Sequence, residues 1–485
     1  MTASPPRALP LVDPVEESAA AHAPSWYAAS ANASPARPPL LGDHDLDVCV
    51  VGAGFTGLSA ALHLAEAGRT VTVLDGARVG WGASGRNGGQ IVNGLNAGLD
   101  IVERRYGADT ASFVGTLLQE GAEVIRGFVA RHAIDCDLER GNVYVAFNAK
   151  QMRALEAKQA LWRRHGMDDH ELLDGAALAA HVRSPLYVGG MLDRSGGHLH
   201  PLNLALGEAA ALESLGGTVH ERTRVVRLEN EAGGGERPET RPVVVTEHGR
   251  LRCRTLILAG NAYLGRTVPA LAARVMPVST QVMATEPLAD ELAREILPSN
   301  VCVEDVRYIL DYYRLTPDRG AGAGPGGPSG GTTGDPAGGA ADGTSGGTGA
   351  PRYRLLFGGG TVYGGTDPAD VEAKLRPHME KVFPQLAGTR VTHAWSGNFA
   401  LSFSRVPQLG RLGPQSYYAM GYSGHGVTGS HLFGRLLAEA IEGRDERFGR
   451  FAALPWIPFP GGQRFRAPYS TLGSWWYALR DRVGI

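Results

Sequence analysis

Three glycines and one acidic residue have the types and spacing of a site for the diphosphate of a dinucleotide. Gly52, Gly54 and Gly57 form the pattern G-x-G-x-x-G directly after an apolar run, and Asp75 ends the next apolar run. In this pattern the first glycine allows a tight turn, the second admits a diphosphate close to the backbone, and the third lets a helix pack against a strand. The N–H groups at the helix start would face the phosphates, and the acid can bind ribose hydroxyls. The alternative interpretation is a tight turn with no ligand.

A second glycine-rich stretch, residues 80–90, has a composition that excludes a regular helix or strand. It also contains Trp81, Arg86 and Asn87, which a flexible surface linker rarely carries so close together. We therefore expect the backbone of this loop to approach the rest of the cofactor.

A third stretch repeats the order of strand, glycine loop and helix. Residues 417–422 are predicted to form a strand, residues 423–429 a glycine-rich loop, and residues 432–441 an apolar helix. The N–H groups at such a helix start can face an anionic or electron-accepting group.

The elements that position these stretches predict a discontinuous Rossmann-like domain. The continuous apolar runs 48–51, 70–74 and 255–261 are typical of strands buried on both faces of a parallel sheet. Because the third run lies far from the first two, we expect a second domain in between, built on a mixed, largely antiparallel sheet. The fold class is α/β, or α+β overall.

Seven segments follow from these patterns, two of them extensions at the ends of the chain. They are 1–43 (extension), 44–120, 191–265 and 356–450 (cofactor-binding domain), 121–190 and 266–355 (substrate domain), and 451–485 (extension). Adjacent aromatics at Trp26 and Tyr27 require packing partners, and the aromatics of the last segment predict a tail anchored over the body of the protein.

A low-complexity insertion at 319–351 consists almost wholly of small and polar residues. It lacks the apolar area that would offset the entropy of ordering, so it is predicted to be disordered. The flanking runs 312–317 and 353–357 are predicted to be the two strands of one hairpin.

The run 306–315 is also predicted to be a strand, with alternate residues on opposite faces. Tyr308, Tyr312 and Arg314 share one face, and Tyr313 lies on the other. Such residues can line a pocket for a small polar substrate, although Tyr is also a common strand residue. Both interpretations stay open.

Composition excludes several classes of function. The 485 residues carry a formal charge of −2, which gives no electrostatic reason to expect nucleic acid or an anionic membrane as partner. The four cysteines lack metal-binding spacing, so we expect no metal site and a reducing compartment. We found neither a signal peptide nor a run long enough to cross a bilayer, and we expect a cytoplasmic protein.

The stretches 47–75, 80–90 and 421–427 together resemble the flavin-dependent amine oxidoreductases of the D-amino acid oxidase and sarcosine oxidase superfamily. Within it, the stretches 25–32, 82–90 and 422–427 are most similar to the γ-glutamylputrescine oxidoreductases. The resemblance covers the chain except residues 1–24 and 319–351.

This resemblance implies that the protein binds FAD in an extended conformation. The residues implied in binding are Gly52, Gly54, Phe55, Thr56, Gly57, Asp75, Ser84, Arg86, Asn87, Gly88, Gly89, Gln90, Val226, Ala259, Gly260, Gly424, His425, Gly426 and Val427. In the family the acid is commonly Glu, so Asp75 is a shorter variant. Sarcosine oxidases attach flavin through a Cys near the region 395–409, and this chain has no Cys after position 302, so we expect non-covalent FAD.

The implied chemistry is hydride transfer from the carbon that bears an amine to flavin N5, followed by hydrolysis of the imine to an aldehyde and ammonia. Dioxygen is the expected acceptor, giving peroxide, although the strand 354–357 lacks the lysine that sarcosine oxidases place over the flavin. Tyr312, Tyr313 and Trp395 are candidate substrate contacts, and His425 is the candidate for proton transfer. The alternatives are a glycine, sarcosine or D-amino acid oxidase, and a flavin-binding subunit without turnover.

Overall fold

The computed structural model describes residues 21–232, 240–265, 267–319, 353–460 and 465–483. The strands in these ranges are β1 (His44–Val51), β2 (Val71–Leu74), β3 (Gln90–Ile91), β4 (Glu139–Ala146), β5 (His170–Asp174), β6 (Gly189–His198), β7 (Thr218–His220), β8 (Val225–Ala232), β9 (Thr240–Thr246), β10 (Arg250–Leu258), β11 (Val275–Thr285), β12 (Cys302–Asp305), β13 (Asp311–Pro317), β14 (Tyr353–Tyr363), β15 (Val391–Ser402), β16 (Gln408–Gly413) and β17 (Ser416–Met420). The helices are α1 (Trp26–Ala29), α2 (Phe55–Glu66), α3 (Leu99–Tyr106), α4 (Ala108–Arg131), α5 (Ala149–Arg164), α6 (Gly175–Leu178), α7 (Pro201–Ser214), α8 (Pro269–Ala272), α9 (Asp290–Ile296), α10 (Val371–Val382), α11 (Gly426–Ile441), α12 (Glu446–Ala452) and α13 (Arg466–Val483).

The first sheet has the strand order β16-β17-β10-β1-β2-β7. Strands β17, β10, β1, β2 and β7 are parallel, β16 is antiparallel, and the β8–β9 hairpin joins through β9 to β10. Val48, Cys49 and Val50 of β1 are completely buried, as a strand covered on both faces requires. The predicted discontinuous Rossmann-like fold is confirmed, because β10 pairs directly with β1 across about two hundred residues of sequence.

The second sheet has the strand order β15-β11-β14-β13-β12-β4-β6-β3, with β5 also paired to β6. Every pairing given for it is antiparallel except that of β12 with β4. The predicted mixed, largely antiparallel sheet of the second domain is therefore confirmed. Its core packs against α9 and α10, whereas helices α2, α4 and α11 cover one face of the first sheet.

The predicted strand 306–315 is wrong in its first half. Strand β12 ends at Asp305, residues 306–310 turn, and β13 begins at Asp311. The Asp305 carboxylate causes this reversal, because it accepts hydrogen bonds from the backbone N–H groups of Arg307 at 2.8 Å and Asp311 at 3.0 Å. Tyr308 therefore lies on a turn rather than on the face of a strand.

The glycine run 358–360, a pattern that in isolation indicates a turn, lies within β14. Gly358 is needed there because a Cβ atom would lie 2.2 Å from the Tyr312 ring of β13. The next long strand, β15, runs from Val391 to Ser402. Both strands pair in the second sheet, although the segment 356–450 was predicted for the cofactor-binding domain, so that boundary shifts for these strands.

The predictions for the aromatic residues near the two ends of the chain have different outcomes. Trp26 and Tyr27 are buried, as predicted. In the C-terminal segment Phe459 is buried, but Trp475 and Trp476 of α13 are 68% and 61% exposed, so the predicted anchoring is wrong for these residues. Trp456 and Phe465 are exposed as well.

The predicted hairpin around the insertion is confirmed, because β13 and β14 pair from Asp311 with Gly359 to Pro317 with Tyr353. Of the insertion at 319–351 the structure describes Arg319, which forms ion pairs with Asp135 and Asp137. The predicted disorder of the rest lies outside the described residues.

Candidate active site

The three glycine-rich stretches meet at one elongated cavity that strands of both sheets line. Its wall runs from Asp75 and Val225, past the start of α2 and the loop 81–90, to the start of α11. The opposite wall comes from β11, β14 and β15 of the second sheet and from the turn 308–310. The cavity therefore joins residues that the sequence places up to about 380 positions apart.

At one end the glycine fingerprint adopts the geometry that a diphosphate requires. Gly52 has φ +112°, and a Cβ atom there would lie 2.9 Å from the carbonyl oxygen of Ala259. A Cβ atom on Gly54 would lie 2.8 Å from Ser84 Oγ. Gly57 faces away from the cavity, where a Cβ atom would overlap the Gly52 oxygen at 2.0 Å, so its role is helix packing. The N–H groups of Gly52, Ala53 and Phe55 are bonded within the protein, so those of Gly54 and Thr56, both of which line the cavity, are the ones that can face an anion.

Asp75 lines the cavity at the end of β2, as predicted for a ribose-binding acid. Its two carboxylate oxygens accept hydrogen bonds from the backbone N–H groups of Ala53 and Ala77, each at 2.8 Å. Burial raises the pKa of Asp75 to about 6, and these two hydrogen bonds oppose that shift. The carboxylate therefore fixes the fingerprint turn and keeps lone pairs for hydroxyl donors.

The loop 83–90 folds on itself beside the helix start. Ser84 Oγ accepts a hydrogen bond from Phe55 N at 3.0 Å, and the Asn87 amide donates to the carbonyl oxygens of Ala83 and Ser84. Ser84, Arg86, Asn87, Gly88 and Gln90 line the cavity. Gly89, with φ +72°, packs against Leu199 instead, so its predicted contact with the cofactor is replaced by a structural role.

Trp395 was predicted to contact substrate but is buried beneath this loop. Its indole Nε1 donates to the Arg86 carbonyl oxygen at 2.9 Å, and its ring packs edge-on against Tyr27. Gly397, Phe399 and Leu401, at alternate positions further along β15, line the cavity instead. Trp395 thus supports the loop rather than the substrate.

Helix α11 begins at Gly426, and this end of the helix lies beside the start of α2 and directs its first turn at the cavity. Gly424 has φ +101°, and Gly424, His425, Gly426 and Val427 all line the cavity. Tyr422 fastens this end to the other helix start, because its hydroxyl lies 2.7 Å from Thr56 Oγ1. The positive ends of two helix dipoles therefore face one cavity.

His425 keeps its imidazole neutral at neutral pH. Burial, together with the positive charges of Lys158 and Arg405, lowers the pKa of His425 to about 4. A neutral imidazole can accept a hydrogen bond, so the predicted role in proton transfer stays a prediction.

Two strand ends complete the nucleotide side of the cavity. Ala259 and Gly260 line it directly after β10, as predicted. Val226 does not, because it lies at a bulge of β8 with its side chain 38% exposed. Thr223, Arg224 and Val225 line the cavity instead.

Tyr312 and Tyr313 point to opposite faces of β13, and only Tyr312 lines the cavity. Tyr312 packs against Gly88 and Gly358, where a Cβ atom would collide with its ring. Tyr313 is buried in the core of the second sheet, stacked on Phe357 and hydrogen-bonded to the Tyr187 hydroxyl at 3.0 Å. The prediction that Tyr313 contacts substrate is therefore wrong.

Three charged residues of the cavity wall were missed by the sequence reasoning, namely Arg224, Glu304 and Arg405. Glu304 lies on β12, where acidic residues in a buried strand were the available signal. Arg405 lies in the turn after β15 with φ +62°, a backbone conformation uncommon outside glycine. Its guanidinium donates to Asn96 Oδ1 at 2.9 Å and to the Tyr308 hydroxyl across the cavity mouth.

The residues present fit a dinucleotide. Gly52 and Gly54 leave a backbone cradle without Cβ atoms, Asp75 stands at the ribose end, and two helix starts face the cavity. Across the described ranges no group of three or more His, Cys, Asp or Glu side chains is arranged to hold a metal ion. In the same ranges no helix has the length and apolar character needed to cross a membrane.

Comparison with known proteins identifies the family. The FAD dependent oxidoreductase family, DAO, matches residues 47–440. The chain belongs to this family. It is an FAD-dependent oxidoreductase, so the alternative of a flavin-binding subunit without turnover is set aside.

Two relatives and one solved structure are similar to this DAO family member over most of its length. A γ-glutamylputrescine oxidoreductase of Escherichia coli (strain K12) is 47% identical over 466 residues, covering 96% of this chain and 99% of that protein. A probable oxidoreductase, OrdL, of Haemophilus influenzae is 34% identical, covering 95% and 98%. The structure of glycine oxidase from Geobacillus kaustophilus has a TM-score of 0.64 at 19% identity, covering 85% of this chain and 100% of that chain, which shows a shared fold.

Proposed function

We propose that this enzyme oxidises γ-glutamylputrescine in putrescine catabolism. The observation that carries the proposal is the 47% identity with the γ-glutamylputrescine oxidoreductase, which extends over almost the full length of both proteins. Sequence similarity at that level and coverage makes a shared substrate the simplest expectation.

The charges on the cavity wall support a substrate with a carboxylate at one end and an amine at the other. Arg405 lies at the cavity mouth beside Tyr308, and among the residues that the structure describes it forms no ion pair with an acid. A guanidinium at this position can bind a carboxylate in a bidentate manner. The glutamyl end would then lie at the mouth and the putrescine amine deeper in the cavity.

FAD, when bound, supplies the acceptor for the hydride that leaves the carbon next to the amine. The protein contributes the two helix starts, whose N–H groups and dipoles stabilise negative charge at the cofactor. Tyr312 and Gly397 form apolar wall on the second sheet, and such a wall excludes water from the reacting carbon. Water then hydrolyses the product imine to an aldehyde and ammonia, and we propose dioxygen as the final acceptor, giving peroxide.

Anaerobic mixing tests the substrate. The FAD-loaded protein is combined in separate experiments with γ-glutamylputrescine, putrescine, sarcosine and glycine, and the loss of the visible flavin absorbance is followed. We expect rapid bleaching by γ-glutamylputrescine and much slower bleaching by putrescine, which lacks the carboxylate. Preferential bleaching by sarcosine or glycine would instead establish the alternative amino acid oxidase. Peroxide released on admitting air tests the acceptor.

A further inference from the structure

Glu304 lies on the cavity wall, and the oxidation proposed above gives its carboxylate no role. It lies on β12, and its neighbours in register are Tyr144 of β4 and Tyr312 of β13. Tyr312 in turn packs against Gly88 of the loop 83–90. Glu304 therefore shares the face of the second sheet that meets the cofactor-binding loop.

The Glu304 carboxylate is buried without a direct hydrogen-bond or ion-pair partner. The residue is only 7% exposed, yet within the described part of the chain its oxygens accept no hydrogen bond and form no ion pair, and Lys158 acts on it only through its charge at longer range. A buried ionised group without a partner is unfavourable, and native proteins retain one chiefly where it meets a ligand. The free side of this carboxylate is the cavity.

Burial and the surrounding charges bring the pKa of Glu304 close to neutral pH. Burial raises the pKa of Glu304 to about 7; the positive charge of Lys158 opposes this shift, and Asp305 and Asp193 add to it. The Lys158 ammonium lies 3.8 Å from the ring centroid of Tyr144. The other titratable groups near this position are Tyr144, Cys302, Tyr312 and His425.

We propose that Glu304 binds the reactive ammonium group of the substrate and accepts one proton from it. An N–H bond of the ammonium breaks, the proton bonds to a Glu304 carboxylate oxygen, and the nitrogen retains the electron pair as a neutral amine. The neutral amine is required because its lone pair assists departure of the hydride from the adjacent carbon. This inference rests on the proposed oxidation of an amine and assigns its first step to a residue.

The test compares the wild type with Glu304→Gln, which keeps the shape of the side chain and removes its charge. Anaerobic reduction by γ-glutamylputrescine is measured from pH 6 to pH 10. At neutral pH we expect the variant to reduce about 100-fold more slowly, the scale of general base catalysis. Its rate should recover as pH rises, because free substrate amine becomes available, whereas the wild-type rate should level off above the Glu304 pKa.

A binding measurement separates this role from a structural one. The pentylamide of γ-glutamate carries a methyl group where γ-glutamylputrescine carries its ammonium. Glu304→Gln should weaken apparent binding of γ-glutamylputrescine about tenfold or more, while the inhibition constant of the pentylamide stays within about twofold. Equal loss of affinity for both compounds would overturn the proposal.

Two controls complete the design. Glu156→Gln removes an exposed acid from α5 and should leave all rates unchanged. FAD content and thermal midpoint are measured for both variants to establish folding. If the wild type is not reduced by γ-glutamylputrescine, the proposed function fails. If the wild type is reduced and the Glu304→Gln variant matches it across the pH range, the role of Glu304 alone fails.

Discussion

Among single residues, Gly57 gives the sharpest stability test. We expect Gly57→Ala to lower the free energy of unfolding by at least about 2 kcal/mol, because the new Cβ atom would lie 2.0 Å from the Gly52 oxygen. The matched control is Gly449→Ala in α12, where nothing lies within 4 Å. That change should be neutral or stabilise by up to about 1 kcal/mol. Chemical denaturation of both variants gives the comparison, and equal midpoints would contradict the assigned packing role.

From the pKa of Asp75 we predict that the free energy of unfolding of the protein without FAD depends on pH. Its pKa is about 6 in the folded protein, against an ordinary value of 3.8, so between these pH values the folded state holds a proton that the unfolded chain releases. Stability contributed at this site therefore falls as pH rises through the window. Asp75→Asn should flatten the dependence of the urea midpoint on pH, whereas Asp168→Asn, at an exposed position, should not. A slope unchanged by Asp75→Asn would contradict the shifted pKa.

Residues whose function rests on backbone geometry were predictable, and residues that depend on tertiary position were not. The fingerprint glycines and Asp75 follow from local spacing, so their place at the cavity could be inferred from the sequence. The alternation of side chains along a strand predicted that Tyr312 and Tyr313 lie on opposite faces. It could not predict which of these faces meets the cofactor. Glu304 and Arg405 join the cavity only through the pairing of strands distant in sequence.

At the level of elements, the β13–β14 hairpin predicts that the insertion is dispensable. The two strands pair as far as Pro317 with Tyr353, and loop-closure entropy grows only slowly with loop length. We expect replacement of residues 320–352 by a short glycine linker to leave the thermal midpoint and the FAD content nearly unchanged. Arg319 is kept because of its ion pairs with Asp135 and Asp137. A shortened protein that purifies without FAD would refute this prediction.

The longest strands of the second sheet show where element prediction from sequence stops. Strand β14 contains the glycine run 358–360, which in isolation indicates a turn. The Tyr312 ring fills the space above Gly358, so the glycines are a response to packing from a neighbouring strand. Similarly, the Asp305 carboxylate ends β12 through side-chain hydrogen bonds that apolar periodicity does not report. By contrast, buried parallel strands such as β1 carry their own apolar signal.

For the whole molecule, we predict that FAD is bound non-covalently. The four cysteines are buried, and none of them lines the cavity in the described residues. Acid precipitation should therefore release all flavin into the supernatant, and a yellow pellet would contradict the prediction. Because only the folded protein binds FAD, excess FAD should raise the thermal midpoint of the stripped protein in a concentration-dependent manner.

The early segment around Tyr27 sets a limit on how the gene can be trimmed for expression. Arg314 Nε donates to the Gly88 carbonyl oxygen at 2.7 Å, and its Nη2 donates to the Tyr27 hydroxyl at 3.2 Å. A truncation that begins the protein after residue 32 would remove the Tyr27 ring. The buried Arg314 guanidinium, beside the loop 83–90, would then lose one hydrogen-bond partner. Affinity tags therefore belong ahead of this segment.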